Sequence, residues 1–415
     1  FIIGQFASVA DTTAVSVGSQ IMHMLTVMIV GLAMGTTVSI ANAVGAGDRK
    51  RAAQSIGNTV TLFMSLSVVL MGLLLLSVRP ITSLMATPPQ AVASTVSYLT
   101  VCFLGIPFIT AYNILASVFR GMGESKSPMY FIAVACVCNI GLDFLFIGAL
   151  GLGPVGAALG TTLSQTVSVA LSLCVIVKKR SIGLSKSDFK PKKAVMRRLL
   201  SIGLPVAAQD GLIQIAFIVI TVIANSRGLN TAAAVGIVEK IIGFVFLVPS
   251  SLLSTVSALG AQNIGAGKPQ RAVRTLRDSI FLALGFGIVC TFGVQFCAEV
   301  LVALFTDETA SGGAEVVRLG GQYLRGYIFD CIFAGIHFCF SGYFCAMGKS
   351  VLSFVHNILA VVLVRIPGAY LCAKRLPQTL FPMGLATVFG SVLSVLICLV
   401  AYFALKKRKN ASKTT

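Results

Sequence analysis

Asp143 is the side chain whose chemistry most needs an account, because it interrupts the apolar run CNIGLDFLFIGALGLGPVGAALGTT from Cys138 to Thr162. Asn139 stands four residues earlier, so on a helix the amide and the carboxylate project from one face. The run turns at Gly151 to Pro154, and Asp143 and Thr161 each lie nine residues from Leu152. Two helical arms would set these groups at one depth, roughly 14 Å from the turn. That is about halfway into a ~30 Å hydrocarbon layer. An ionised carboxylate there is expensive, and is kept paired, neutralised or facing water. An amide, a carboxylate and a hydroxyl are oxygen ligands suited to a hard cation or a proton. We therefore read Asn139, Asp143 and Thr161 as a site for a hard cation or a proton. The competing reading is that these side chains only stitch helices together through hydrogen bonds.

The elements that must carry such a site are membrane helices. Of the 415 residues 56% are hydrophobic and 11% charged, and the mean hydropathy is +0.93, values outside the range of soluble domains. The formal net charge of +19 would point to nucleic acid in a soluble chain. Here the basic residues gather in particular loops, the positive-inside pattern, so no nucleic-acid partner is expected. Eleven cysteines lie mostly in apolar spans without a CxxC pair, and the three histidines, His23, His337 and His356, have no metal-ligand spacing. These features disfavour disulfides, structural zinc and an enzyme. No stretch resembles a channel filter.

Spans are expected at about residues 14–44, 55–78, 92–119, 128–150 and 155–177, then 202–226, 231–262, 279–305, 320–347, 351–372 and 380–405. Between them KKRSIGLSKSDFKPKKAVMRR, Lys178 to Arg198, carries nine basic residues against Asp188 alone. It reads as a linker touching anionic lipid. The organisation expected is an N-terminal lobe over 1–177, the linker over 178–198, a C-terminal lobe over 199–405 and a tail over 406–415. Arg49 to Arg51, Arg120 and Lys126, the linker, Lys268 to Arg277, Lys349 and the tail fall on alternate loops, which makes those loops and the C-terminus cytoplasmic. Asp307, Glu308 and Glu315 fall on an opposite loop, and Lys374 with Arg375 are the exception.

The two halves are copies. ANAVGAGDRKRA from Ala41 matches AQNIGAGKPQRA from Ala261, FRGMGES from Phe119 matches FCAMGKS from Phe344, and Pro154 with Gly156 correspond to Pro382 with Gly384. The glycine-rich pieces lack the GK followed by Ser or Thr that a phosphate-cradling loop needs, so they read as helix-breaking turns. The counterpart of span 202–226 would precede residue 1, so one N-terminal helix is expected to be missing. With it, each half has six spans and the halves are parallel repeats. The fold class expected is an all-α integral membrane protein of two pseudo-symmetric six-helix bundles, twelve spans in all and eleven complete here, with a cleft between them.

Together with VADT at Val9 to Thr12, GLP at Gly203 to Pro205 and GIVEK at Gly236 to Lys240, these motifs resemble the multidrug and toxic compound extrusion family, over the chain from Phe1 to about Leu405. The resemblance implies two six-helix lobes around a V-shaped cleft and a cation-coupled efflux transporter in the cell membrane. One branch binds its coupling cation through an Asn-x-x-x-Asp pair, a Thr and an Asp on the first helix. Asn139, Asp143 and Thr161 match the first three, and the fourth would lie in the missing helix. Other branches place acids in the C-terminal lobe, where Asp210, Glu239 and Asp330 are candidates for coupling or substrate contact, unless Lys240 or Arg365 pairs with them. The expected function is antiport: an amphipathic organic cation leaves in exchange for Na+ or H+, with no cofactor beyond the coupling ion. The partners expected are the substrate and membrane lipids, and the chain is expected to act as a monomer. The alternative is a flippase for lipid-linked oligosaccharides, for which Arg365 and Lys240 are the only evident mid-span bases.

Overall fold

Away from water, backbone N–H and C=O groups must pair within their own segment, so long apolar stretches become helices. The computed structural model, which describes residues 2–85, 87–179, 183–306 and 312–414, is accordingly helical, with no strand among those residues. Asp307 and Glu308 lie outside the described residues. Two compact units divide the chain, Phe1–Ala207 and Ala208–Thr415.

The first unit contains α1 (Ile2–Phe6), α2 (Val9–Gly45), α3 (Arg49–Leu76), α4 (Val78–Leu84), α5 (Pro89–Leu104), α6 (Ile106–Gly121), α7 (Lys126–Asp143) and α8 (Gly153–Lys179). It also contains the start of α9 (Lys193–Asn225). The rest of α9 belongs to the second unit, with α10 (Leu229–Val245), α11 (Leu247–Gly265), α12 (Pro269–Ala303), α13 (Gly313–Tyr327), α14 (Asp330–Ala346), α15 (Ser350–Ala360), α16 (Ile366–Arg375) and α17 (Phe381–Thr414). Nine helical stretches are long and apolar enough to cross a membrane, and the bent pairs α5–α6 and α13–α14 make eleven among the described residues. That is the number read from the sequence. The protein is a multi-pass membrane protein.

The repeat is visible in backbone detail. After α2, α6, α11 and α14 the chain turns through Gly47, Gly123, Gly267 and Gly348, all at φ between 69° and 85°. In each turn the following N–H reaches back five residues: Asp48 to Ala43, Glu124 to Phe119, Lys268 to Asn263 and Lys349 to Phe344, at 2.8 to 3.0 Å. This is the Schellman closure, which needs a left-handed residue and so takes glycine. The GAG and GMG motifs are therefore helix stops. The two bends also correspond, 46° between α5 and α6 and 43° between α13 and α14. Pro107 accounts for the first. The second has no proline, and Asp330 opens the helix beyond it.

The first unit extends past the basic linker because α9 packs on α2 through glycines. A Cβ on Gly35 would stand 3.0 Å from the carbonyl carbon of Leu199, and one on Gly203 would stand 3.0 Å from that of Leu32. Such small-residue contacts let backbones approach closely where no hydrophobic effect drives helices together. Gly203→Ala should therefore lower the thermal stability of the detergent-solubilised protein, by about 1–3 kcal/mol for an overpacked contact. Gly236→Ala, at a position with no atom within 4 Å, should leave it unchanged.

Candidate functional site

The hairpin around Asp143 is closed by two structural devices. α7 is α-helical up to Asp143, and Phe144–Ala149 then form a π-helical segment. Leu150 N–H bonds Leu145 O and Leu152 N–H bonds Phe146 O, both at 2.9 Å, and Gly151 and Gly153 at φ 63° and 52° turn the chain into α8. The returning helix presents Gly156 and Gly160 to the first arm. A Cβ on Gly156 would stand 3.0 Å from Phe146 Cβ, and a Cβ on Gly160 would collide with Asp143 Oδ1 and stand 3.5 Å from Asn139 Nδ2.

Asn139 and Asp143 thus share a face, as their spacing predicts, and that face is turned onto Gly160. The depth match is displaced by one residue, because Gly160 and not Thr161 stands opposite Asp143. A π turn holds an extra residue and so advances less along the axis per residue than an α turn. Nine residues from Asp143 to Leu152 descend about as far as eight on the returning α-helix. Thr161 Oγ1 donates to Ala157 O at 3.0 Å in its own helix, which leaves only its lone pairs for a ligand. The neighbouring Thr162 Oγ1 is buried without a partner among the described residues and faces the α5–α6 bend, where a Cβ on Gly105 would meet it at 2.6 Å.

Asp143 Oδ1 and Asn139 Nδ2 are also buried without a hydrogen-bond partner among the described residues. Two polar atoms left unsatisfied side by side mark a place for water, a proton or an ion. Exchange of N and O in the Asn139 amide, a choice of assignment and not of shape, puts its carbonyl oxygen beside the carboxylate. The donors brought together are then a carboxylate and an amide oxygen, hard oxygen ligands of the kind a small cation takes, and Thr161 is not brought to them. The Tyr98 phenol, 5% exposed, lies within electrostatic reach of Asp143. Asp11, in the VADT segment, has a different task. Its oxygens accept Ser8 Oγ at 2.8 Å and Ser94 Oγ at 2.7 Å, tying the start of α2 to α5.

The second unit holds a denser polar cluster. Another π-helical segment, Val361–Arg365, joins α15 to α16. At its end the Arg365 guanidinium donates to Tyr327 Oη and stacks over Phe217 at 5.0 Å and Tyr327 at 5.8 Å. The Thr221 hydroxyl, which donates to Phe217 O at 2.9 Å, lies 3.3 Å from both Glu239 oxygens, and Glu239 lies within electrostatic reach of Arg365, as does Asp330. Neither acid is within ion-pair distance of it among the described residues. Asp330, 1% exposed, opens α14, where a helix N-terminus favours negative charge. Ser391 bonds Asp330 and also contacts His337 Nε2 at 3.4 Å. The His337 and His356 rings stand 5.4 Å apart. Asp330 Oδ1, Arg365 Nε and one nitrogen of each ring are buried without partners among the described residues.

Of the three acids singled out in this half, the fold brings Glu239 and Asp330 to Arg365. Asp210 stands apart near Cys345 and makes no hydrogen bond or ion pair among the described residues. Lys240 is exposed and pairs with none of them. Gly160 and Tyr98 were not singled out from sequence. For Gly160 a signal existed, since Gly156 and Gly160 form a GxxxG pattern, a mark of close helix packing. For Tyr98 there was none.

Repeated helical halves, each with an irregular turn where ionisable groups are buried, define a polytopic membrane protein of the repeated-bundle class. The family model described as MatE matches residues 1–145 and 205–371. The chain belongs to the MatE family. It is 27% identical to the probable multidrug resistance protein YpnP of Bacillus subtilis, over 93% of this chain and 86% of that one. It is 25% identical to the FAD transporter of Shewanella oneidensis, over 94% and 88%. Among solved structures, a MATE in complex with MaL6 superposes with a TM-score of 0.90 at 20% identity, covering 100% of this chain and 92% of that one. The two-bundle fold class read from the sequence is that of these proteins.

Gly160→Ala should displace the Asp143 carboxylate and lower the thermal stability of the purified protein by about 1–3 kcal/mol, as an overpacked contact does. Gly141→Ala, on the same hairpin with nothing within 4 Å, should melt as the wild type does.

Proposed function

We propose that the chain is an antiporter that exports amphipathic organic cations in exchange for Na+ or H+ and acts as a monomer in the cell membrane with its C-terminus in the cytoplasm. The observation that carries this reading is the unpartnered pair, Asp143 Oδ1 and Asn139 Nδ2, held against Gly160. A charge that only glued helices together would be paired with a base. None lies within 4 Å of Asp143 among the described residues. Its counter-charge is best supplied by a ligand that arrives and leaves. Na+ compensates the carboxylate and a proton removes its charge, and either changes how tightly α7 and α8 hold together.

Coupling requires that the ion bind one conformation better than the other, because a ligand indifferent to the two drives nothing. Gly156 and Gly160 make the hairpin sensitive in this sense, since backbone and carboxylate are already in contact there. Export is supported by the relatives, several of which are named for multidrug resistance or export. The Shewanella relative is named for a dinucleotide, so the fold also accompanies anionic cargo. The flippase reading rests on mid-span bases, of which Lys240 is exposed and Arg365 is engaged by Tyr327 and Phe217.

In proteoliposomes with an imposed Na+ or pH gradient, Asp143→Asn should lose at least nine-tenths of gradient-driven export of a cationic dye. It should keep dye binding within about threefold, as expected when the ion site and not the substrate site is altered. Full gradient-driven export by this variant would overturn the assignment.

A further inference from the structure

The basic linker is stapled to the first unit. Asn58, fully buried on α3, donates to Asp188 O at 3.0 Å and accepts Lys192 N–H at 2.7 Å. One turn further, Thr61 Oγ1 donates to Phe189 O at 2.8 Å. Gly57 lets the linker backbone settle onto α3, since a Cβ there would stand 2.9 Å from Phe189 N. The linker turn at Lys186–Phe189 is closed by a capping box in which the Asp188 carboxylate takes Ser185 N–H at 2.9 Å and Ser185 Oγ at 2.8 Å. Those bonds hold the carboxyl below the usual carboxylate range. The one acid of this segment is thereby occupied.

This staple sets the first turns of α9 beside α3 and leaves a groove of about 610 Å³ between them. Its walls include Leu62 of α3 and Met196, Leu200 and Leu204 of α9, and its rim includes Lys193 and Arg197. Lys193, Arg197, Leu200 and Leu204 follow at helical spacing, so one stripe passes from two cations to two leucines. From Lys193 to Leu204 it runs about 16 Å along the axis, close to half of a ~30 Å hydrocarbon core. Leu204 is 59% exposed, a surface that water would not tolerate and an acyl chain covers. Lys193 and Arg197 are exposed, and neither has a carboxylate within 4 Å among the described residues. Close by, Arg198 and Arg51 lie within electrostatic reach of one another, which adds to the unbalanced positive charge.

We propose that this groove binds one anionic diacyl phospholipid, its phosphate between Lys193 and Arg197 and an acyl chain along Leu62, Met196, Leu200 and Leu204. The charge of the rim selects an anionic headgroup, and the depth of the apolar stripe matches one leaflet. A soluble anion would use the rim alone, and in a zwitterionic lipid the headgroup's own cation offsets the phosphate that the rim would hold. An anionic lipid fills the wall and brings an uncompensated negative charge to the rim. The bound lipid fastens the first turns of α9 to α3 beside the hydrogen-bonded staple. This helix continues from the first unit into the second.

The test uses the full chain in phosphatidylcholine nanodiscs that contain a photoactivatable phosphatidylglycerol, with labelled peptides mapped by mass spectrometry. Labelling is expected on peptides carrying Leu62 and residues 196–204. With Lys193→Gln and Arg197→Gln combined it should fall roughly tenfold, since each base near an anionic surface contributes several-fold. The charge-conserving pair Lys193→Arg and Arg197→Lys should retain it and so excludes misfolding as the cause. Lys406→Gln with Lys407→Gln, in the basic tail, should not alter it. Equal labelling by a photoactivatable phosphatidylcholine, an unchanged signal in the Gln pair, or an equal loss in the tail variant would overturn the proposal. None of these readouts depends on transport, so the site stands or falls independently of the antiport reading.

Discussion

A carboxylate held inside hydrocarbon persists only if something offsets its charge, and most of what is particular to this molecule follows from that constraint. The two halves meet it differently. In the first, Asp143 and Asn139 face a glycine, and Asp143 Oδ1 and Asn139 Nδ2 have no hydrogen-bond partner among the described residues. In the second, Glu239 and Asp330 share the field of one resident guanidinium, which is itself held by a phenol and two aromatic faces. One half leaves a carboxylate oxygen unpaired among the described residues, and the other carries a permanent guanidinium.

Both solutions stand where the helices are irregular. Asp143 precedes a π-helical segment, Arg365 ends another, and Asp330 opens the helix beyond a 43° bend. A π turn or a break changes which side chains share a face and frees backbone polar groups, so irregular helix is concentrated where ligands bind. The bends recur in both halves although only one contains a proline. The bend therefore belongs to the packing of the repeat, and the proline of the first half suits a geometry that the second reaches without one.

Glycine supplies a further theme, with two distinct physical roles. At Gly47, Gly123, Gly267 and Gly348 it provides a backbone conformation that other residues adopt at a cost. At Gly35, Gly203, Gly57 and Gly160 it provides room, letting a backbone or a carboxylate approach where a methyl group would collide. The second role ties α9 and the basic linker to the first unit. The compact unit thus ends at Ala207, beyond the charged stretch that looks like the joint.

Composition and periodicity by themselves determined that eleven stretches among the described residues are long and apolar enough to cross a membrane, that the halves are copies, where the helices stop, and that Asn139 and Asp143 share a face. Each of these depends on neighbours a few residues apart or on the local cost of burying polar groups, and such terms are written into short stretches of chain. Tertiary structure alone decided that Gly160 stands opposite Asp143 and not Thr161, because one π segment shifts the register of the hairpin. It also decided that Arg365 gathers Glu239 and Asp330 while Asp210 stays apart near Cys345. Those outcomes depend on how helices rotate and pack against partners as many as 150 residues away, as Phe217 does against Arg365, and no local pattern carries that information.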